Sequence, residues 1–149
     1  MPKFLASLAI LTIVSAIEMC LPQVVRGEGI NDSYIGPAVT FGKDKTTLGV
    51  SAKLPFGGNF ALRPYLDFID GRIPYGASLT YNFQIVPSLT PYIGYGFGVD
   101  NNRNPNVSGF FNLGLDVNLS EKFTLFTSAT IPTSKEVNGR IIVGTSLRF

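Results

Sequence analysis

The stretch RIIVGTSLRF, residues 140–149, decides how the rest of the sequence reads. Side chains on an extended chain alternate with period two. Ile141, Val143, Thr145, Leu147 and Phe149 therefore share one face of a strand, and Arg140, Gly144, Ser146 and Arg148 share the other. One side is apolar, the other is small or charged, and the last residue is aromatic.

Working back from this strand, the same alternation recurs between regularly spaced turn residues. It predicts eight strands, at about residues 33–42, 46–56, 60–69, 74–85, 89–100, 109–119, 123–132 and 140–149. The connections are Gly42–Lys45, Gly57–Asn59, Asp70–Ile73, Val86–Ser88, Asn101–Ser108, Ser120–Lys122 and Thr133–Gly139. Strands of about 9–12 residues match what a tilted strand needs to cross a bilayer. If residue 33 starts on the periplasmic side, the minimal connections at 57–59, 86–88 and 120–122 become periplasmic turns, and the rest face outward. An even strand number then returns Phe149 to the periplasmic side.

Composition agrees with one membrane-type domain. The chain has 149 residues, enough for one domain rather than two. Charged residues are only 15% and hydrophobic residues 45%, which excludes a disordered chain. The formal net charge of +2, with no run of Lys or Arg, leaves nucleic acid without an electrostatic footprint.

The N-terminus reads as a secretory signal, residues 1–27, ahead of a barrel domain over 28–149. Lys3 supplies the positive start, and Phe4 to Ile17 is an uncharged apolar run that stops before Glu18. That run is shorter than the about 20 residues a spanning helix needs. Cleavage after Ala16 or after Gly27 fits the small-residue rule, with Gly27 the preferred site. Cys20 would leave with the signal, and Glu18 and Met19 before it do not suit a lipoprotein site. The remaining chain would have neither disulfide nor thiol chemistry.

The make-up of the two faces decides which one meets lipid. One face reads Leu62-Pro64-Leu66-Phe68, Ala77-Leu79-Tyr81-Phe83, Ile93-Tyr95-Phe97-Val99 and Phe111-Leu113-Leu115-Val117-Leu119, without a charge. The other carries Gly36, Gly49, Gly76, Gly94, Gly96, Gly98, Gly114 and Gly144 among Ser, Thr and Asn. A water-facing exterior would carry long charged side chains, whereas small polar residues suit the narrow inside of an eight-stranded barrel. The bulky face is therefore predicted to lie outside, against lipid. Its aromatics gather in two sets: Phe56, Phe60, Phe83, Phe123 and Phe149 at one end, and Phe41, Phe68, Tyr75, Phe97 and Phe111 at the other, like the girdles of lipid-embedded barrels. In hydrocarbon the sheet must close, since an open edge leaves backbone groups unpaired. Pro37, Pro64, Pro91 and Pro132 each remove a ladder donor; Pro64 is the one that conflicts with an uninterrupted strand.

The inward face also holds Lys53, Arg63, Asp67, Asp116 and Arg148. Buried charges need partners, so these five are predicted to form an ion-paired interior network, either as filling or as the lining of a narrow lumen. Gly94-Tyr95-Gly96-Phe97-Gly98 lacks the helix that a nucleotide-binding glycine loop requires. The loop Asp100–Asn106 lacks the sixth-position glycine and twelfth-position acid of a calcium loop. No cofactor or metal site is predicted. With no histidine and no cysteine after residue 20, the usual nucleophile–base pairs cannot be built. An Asp67–Asp116 carboxylate mechanism is less consistent with their basic neighbours, so no enzyme activity is predicted.

RPYLDF (63–68), GASLTYNF (76–83), TPYIGYGFG (90–98) and GLDVNLSEKFTL (114–125), together with the terminal strand, resemble the small eight-stranded outer-membrane β-barrels of the opacity-protein and outer-membrane-protein-A-like type. The resemblance implies an all-β, antiparallel up-and-down transmembrane barrel in the outer membrane of a Gram-negative-type bacterium, monomeric and surrounded by lipid. It also implies that Ile141, Val143, Leu147 and Phe149 are read by the outer-membrane assembly machinery. It specifies architecture better than activity, because such folds host several roles. Three functional readings stand at this point: a structural or surface role, a narrow channel for ions or small solutes, and a soluble lipocalin-like barrel around an apolar ligand.

Overall fold

The computed structural model describes residues 32–83, 85–100, 106–134 and 138–149. The predicted signal segment and its cleavage sites lie outside the described residues. Eight strands follow in chain order: β1 Tyr34–Phe41, β2 Thr46–Gly57, β3 Phe60–Phe68, β4 Tyr75–Asn82, β5 Leu89–Asp100, β6 Asn106–Asn118, β7 Phe123–Pro132 and β8 Arg140–Arg148. Each pairs antiparallel with its sequence neighbours, and β8 returns to β1, closing the barrel. This is the all-β, up-and-down transmembrane architecture read from the sequence.

The antiparallel order sets two mouths. Connections 42–45 and 69–74 sit at one end, the loop mouth, and 58–59 and 119–122 at the other, the turn mouth. The β2–β3 turn depends on Gly58 at φ +55°, and the β3–β4 turn on Gly71 at φ +75°, where a side chain would strain the backbone. Two strand boundaries differ from the sequence reading by more than one residue. β6 begins at residue 106, since the β5–β6 ladder extends to Asp100↔Asn106. β4 stops at Asn82: Pro91 has no N–H to continue the ladder beyond Asn82↔Tyr92, although its carbonyl still accepts from Phe83 N–H.

The prolines fit where pairing lapses on one side. Pro64 pairs with Ala77 on β4, but the ladder to β2 has no partners between Ser51↔Tyr65 and Leu54↔Leu62. Pro37 pairs with Val50 on β2, while the ladder to β8 is interrupted between Ile35↔Leu147 and Ala38↔Gly144. β3 therefore runs straight through Pro64, and a missing N–H costs nothing at a position that makes no ladder bond on that side.

The apolar face is outside. All ten aromatics assigned to the two girdles are exposed, Phe149 most of all at 77%. Phe56, Phe60, Tyr81 and Phe83 form a run of ring contacts near the turn mouth, with centroids 6.3, 5.3 and 5.0 Å apart. Tyr95 touches both Phe97 and Phe111 at 5.3 and 5.2 Å. A soluble barrel around an apolar ligand would need these residues inside, so this placement removes the lipocalin-like reading.

The interior corrects one expectation. It is not filled by small polar residues alone: Tyr34, Tyr92, Phe110 and Phe126 are buried there, with Tyr65 half-buried beside them. Four of these rings stand directly across from a glycine, as Tyr65↔Gly76, Tyr92↔Gly114, Phe110↔Gly96 and Phe126↔Gly144. A Cβ on Gly144 would lie 2.4 Å from the Phe126 ring, and one on Gly114 only 2.5 Å from Tyr92 Oη. Glycine leaves the strand next door bare, and the aromatic covers it. Gly76, Gly114 and Gly144 are thus each half of a packing device, with a ring in the space their side chain would take.

Candidate functional site

The charged side chains inside the barrel fall into three groups along its axis. The central group is built on Asp116 of β6, which is fully buried. Arg63 of β3 grips it with two guanidinium nitrogens: Nη1 donates to Oδ1 at 3.2 Å and Nη2 to Oδ2 at 2.8 Å. The remaining Arg63 donors are also engaged. Nε donates to Thr80 Oγ1 at 3.1 Å, Nη1 to Tyr34 Oη at 2.6 Å and Nη2 to Asn82 Oδ1 at 2.8 Å. All five N–H groups of the guanidinium are therefore used. Tyr34 Oη donates onward to Asp116 Oδ1 at 2.9 Å.

Two further contacts complete this group. The Arg63 guanidinium carbon lies 3.5 Å from the centroid of the Tyr92 ring, close enough for a desolvated cation–π contact. Lys53 of β2 brings Nζ to 3.6 Å from Asp116 Oδ2, with its side chain 1% exposed. Six strands (β1 to β6) thus meet across the lumen through Tyr34, Lys53, Arg63, Thr80, Tyr92 and Asp116. Such a set is rigid, because every polar atom of its central guanidinium is fixed by geometry.

The second group lies toward the loop mouth. Arg140 Nη1 is 2.9 Å from Asp67 Oδ2, Nη2 donates to Tyr65 Oη at 3.0 Å, and Thr40 Oγ1 donates to Asp67 Oδ1 at 2.9 Å. The third lies at the turn mouth, where Arg148 Nη1 meets Asp32 at 2.6 Å and Nη2 donates to the Ser120 carbonyl. Phe149 N–H bonds Ser33 O at 3.0 Å beside it, tying the end of β8 to the residue preceding β1. Between the first two groups Asn112 links Ser78, at 2.8 Å, to Ser128.

Of the five residues read as one network, the structure brings Lys53, Arg63 and Asp116 together. Asp67 belongs with Arg140, and Arg148 with Asp32. Asp67 and Asp116 are each held by their own guanidinium and form no carboxylate pair. The sequence reading passed over Tyr34 and Tyr92, although both share the inward parity of neighbouring glycines; Arg140 was placed inward but not paired. On β8, Ile141 and Leu147 are exposed on the outer surface and Val143 is half-covered, and Phe149 just after the strand is exposed too.

Two cavities are set by these groups. A cup of about 530 Å³ opens at the loop mouth, with Tyr65 and Arg140 among its lining residues. Beyond them a cavity of about 20 Å³ touches Arg63, Tyr92 and Phe126, among others. That space holds a single water at most.

A closed eight-strand barrel with an apolar exterior and a polar, ion-paired interior is the fold of the small transmembrane β-barrels of bacterial outer membranes. The chain is similar in structure to a de novo designed transmembrane β-barrel, at TM-score 0.68 and 12% identity over 80% of this chain and 96% of that one. It is also similar to the outer-membrane protein Ail of Yersinia pestis in a phospholipid nanodisc, at TM-score 0.58 and 15% identity over 80% and 99%. The N-terminal β-barrel domain of OprF from Pseudomonas aeruginosa follows at TM-score 0.57 and 14% identity over 80% and 98%. No protein-family model and no curated protein matches the sequence. At these identities the likeness establishes the fold.

Proposed function

We propose that this chain is an integral outer-membrane protein with a structural or surface role in the cell envelope, its lumen closed by the Arg63–Asp116 group. The observation that carries the reading is the fully engaged guanidinium of Arg63, held by both Asp116 oxygens and stacked on Tyr92 across the lumen. A pore needs water along its axis, and here side chains from six strands occupy that axis instead. The outward aromatics and the solved barrels of similar fold support residence in lipid. A signal over residues 1–27 and delivery through Ile141, Val143, Leu147 and Phe149 belong to the same reading, as does a monomeric state. So does the absence of catalysis, since Asp67 and Asp116, the carboxylates considered for it, are both committed to arginines.

Planar-bilayer recording separates this from the channel reading. The protein folded into bilayers is expected to show no stable unitary conductance, and removing the central group with an Arg63→Ala/Asp116→Ala double variant is expected to open one. A steady conductance in the unaltered protein would make the barrel a narrow channel.

A further inference from the structure

Charge is distributed unevenly around the turn end of the barrel. Between Lys53 and Arg63, and again between Arg72 and Asp100, the sequence has no Asp, Glu, Lys or Arg. These two stretches contain the β2–β3 and β4–β5 connections whole. The β6–β7 connection instead carries Glu121 and Lys122, and the Arg148–Asp32 pair lies where β8 ends beside the start of β1. An uncharged sector from β2 to β5 therefore stands opposite a charged one from β6 to β1.

The uncharged sector is apolar on its outside. Phe56 and Phe60 flank the β2–β3 turn and are both exposed, Phe56 at 60%. Their rings touch, and Phe60 continues through Tyr81 to Phe83. Past the end of β4, Ile85 is 66% exposed and Val86 beside it is exposed as well. The surface that meets lipid along the strands thus runs on past the strand ends.

The polar groups of these connections are engaged by the protein itself. Asn59 O accepts from Asn82 twice, from its backbone N at 2.7 Å and its Nδ2 at 2.9 Å. Asn59 Nδ2 donates to Tyr81 Oη at 3.2 Å. Asn118 does the same for the β4–β5 connection, its backbone N donating to Ser88 O at 2.9 Å and its Nδ2 to Pro87 O at 3.2 Å. Carbonyls satisfied inside the protein are what a surrounding poor in water requires.

We propose that the β2–β5 sector of the turn end is a lipid-seating edge. Its tips lie in phospholipid at the boundary of headgroups and acyl chains, while Glu121 and Lys122 keep the opposite edge in water. The barrel axis is inclined to the bilayer as a result. Phospholipid is the occupant because the patch continues the lipid-facing surface and offers no charge to a polar partner. The inference rests on the reading that the barrel resides in lipid.

The test is depth measurement by single tryptophans, since the chain has none of its own. Phe56→Trp, Ile85→Trp, Phe123→Trp and Leu113→Trp are each folded into phosphatidylcholine vesicles and quenched by lipids brominated at graded depths, or by acrylamide from water. All four replaced side chains are exposed, so the variants should fold as the parent does. Phe56→Trp and Ile85→Trp are expected to lie about 5 Å or more deeper than Phe123→Trp, the scale on which apolar side chains enter this boundary. Adding Glu121→Gln and Lys122→Gln is expected to let Phe123→Trp sink, and adding Ile85→Lys to raise Phe56→Trp. Equal depths for Phe56→Trp and Phe123→Trp, with Leu113→Trp deep, would overturn the proposal and leave residence in lipid standing. Ile85→Trp open to acrylamide and untouched by brominated lipid would overturn it too, and would leave the patch to a protein partner. A Leu113→Trp that no brominated lipid quenches would instead refute residence in lipid, on which the proposal rests.

Discussion

Replacing Asp116 with alanine is expected to remove about 3–5 kcal/mol of folding stability, because it leaves two buried cations without their carboxylate. Arg63 would lose two of its hydrogen bonds and Lys53 its 3.6 Å ion pair, at a depth where water cannot substitute. The comparison variant is Asp100→Ala, whose pair with Arg72 is partly exposed at the loop mouth and is worth about 0–1 kcal/mol. Urea unfolding of protein folded into lipid vesicles, followed by tyrosine fluorescence since the chain has no tryptophan, measures both. Similar small losses for the two variants would mean that the central group is a loose arrangement and that closure of the lumen has another origin.

The second large effect concerns the outer face. Leu113 lies in the middle of β6 at 44% exposure, flanked by Ile93 on β5 and Ala129 on β7. Leu113→Lys is expected to cost about 2–4 kcal/mol in a bilayer, the range for a charge near the midplane on a lipid-facing strand position. Asn112, one residue earlier, points inward to Ser78 and Ser128. Asn112→Lys is therefore expected to act through crowding in the interior, with little dependence on bilayer thickness. The cost at Leu113 should fall in thinner bilayers, where lysine reaches the interface more easily. If the two substitutions showed the same dependence on thickness, the assignment of faces would be wrong.

Period-two alternation made the strands legible to within a few residues, because turn residues and apolar faces repeat at lengths fixed by the bilayer. Face composition was legible for the same reason: Phe and Leu on one side and glycine on the other admit only one orientation in lipid. The pairing of interior aromatics with glycines was not. Phe126 and Gly144 are 18 residues apart in number, and only the β7–β8 register places them opposite each other. Register also decided which charges meet. Arg63 and Asp116, 53 residues apart, come together across the barrel, whereas Asp67, four residues after Arg63, turns to Arg140. Local sequence carries no trace of such distances. Pro64 looked like a strand break because the lapse in the β2–β3 ladder that accommodates it belongs to the pair of strands and not to β3 alone.

The most direct measurement is the electrophoretic mobility of the protein from isolated outer membranes, unboiled and boiled in detergent. A closed lipid barrel keeps its ladder intact in detergent at room temperature, so the unboiled protein should migrate as a compact species and shift only after heating. The shift should be confined to the outer-membrane fraction. A protein recovered in the soluble periplasmic fraction, with one mobility before and after boiling, would contradict a lipid-embedded barrel.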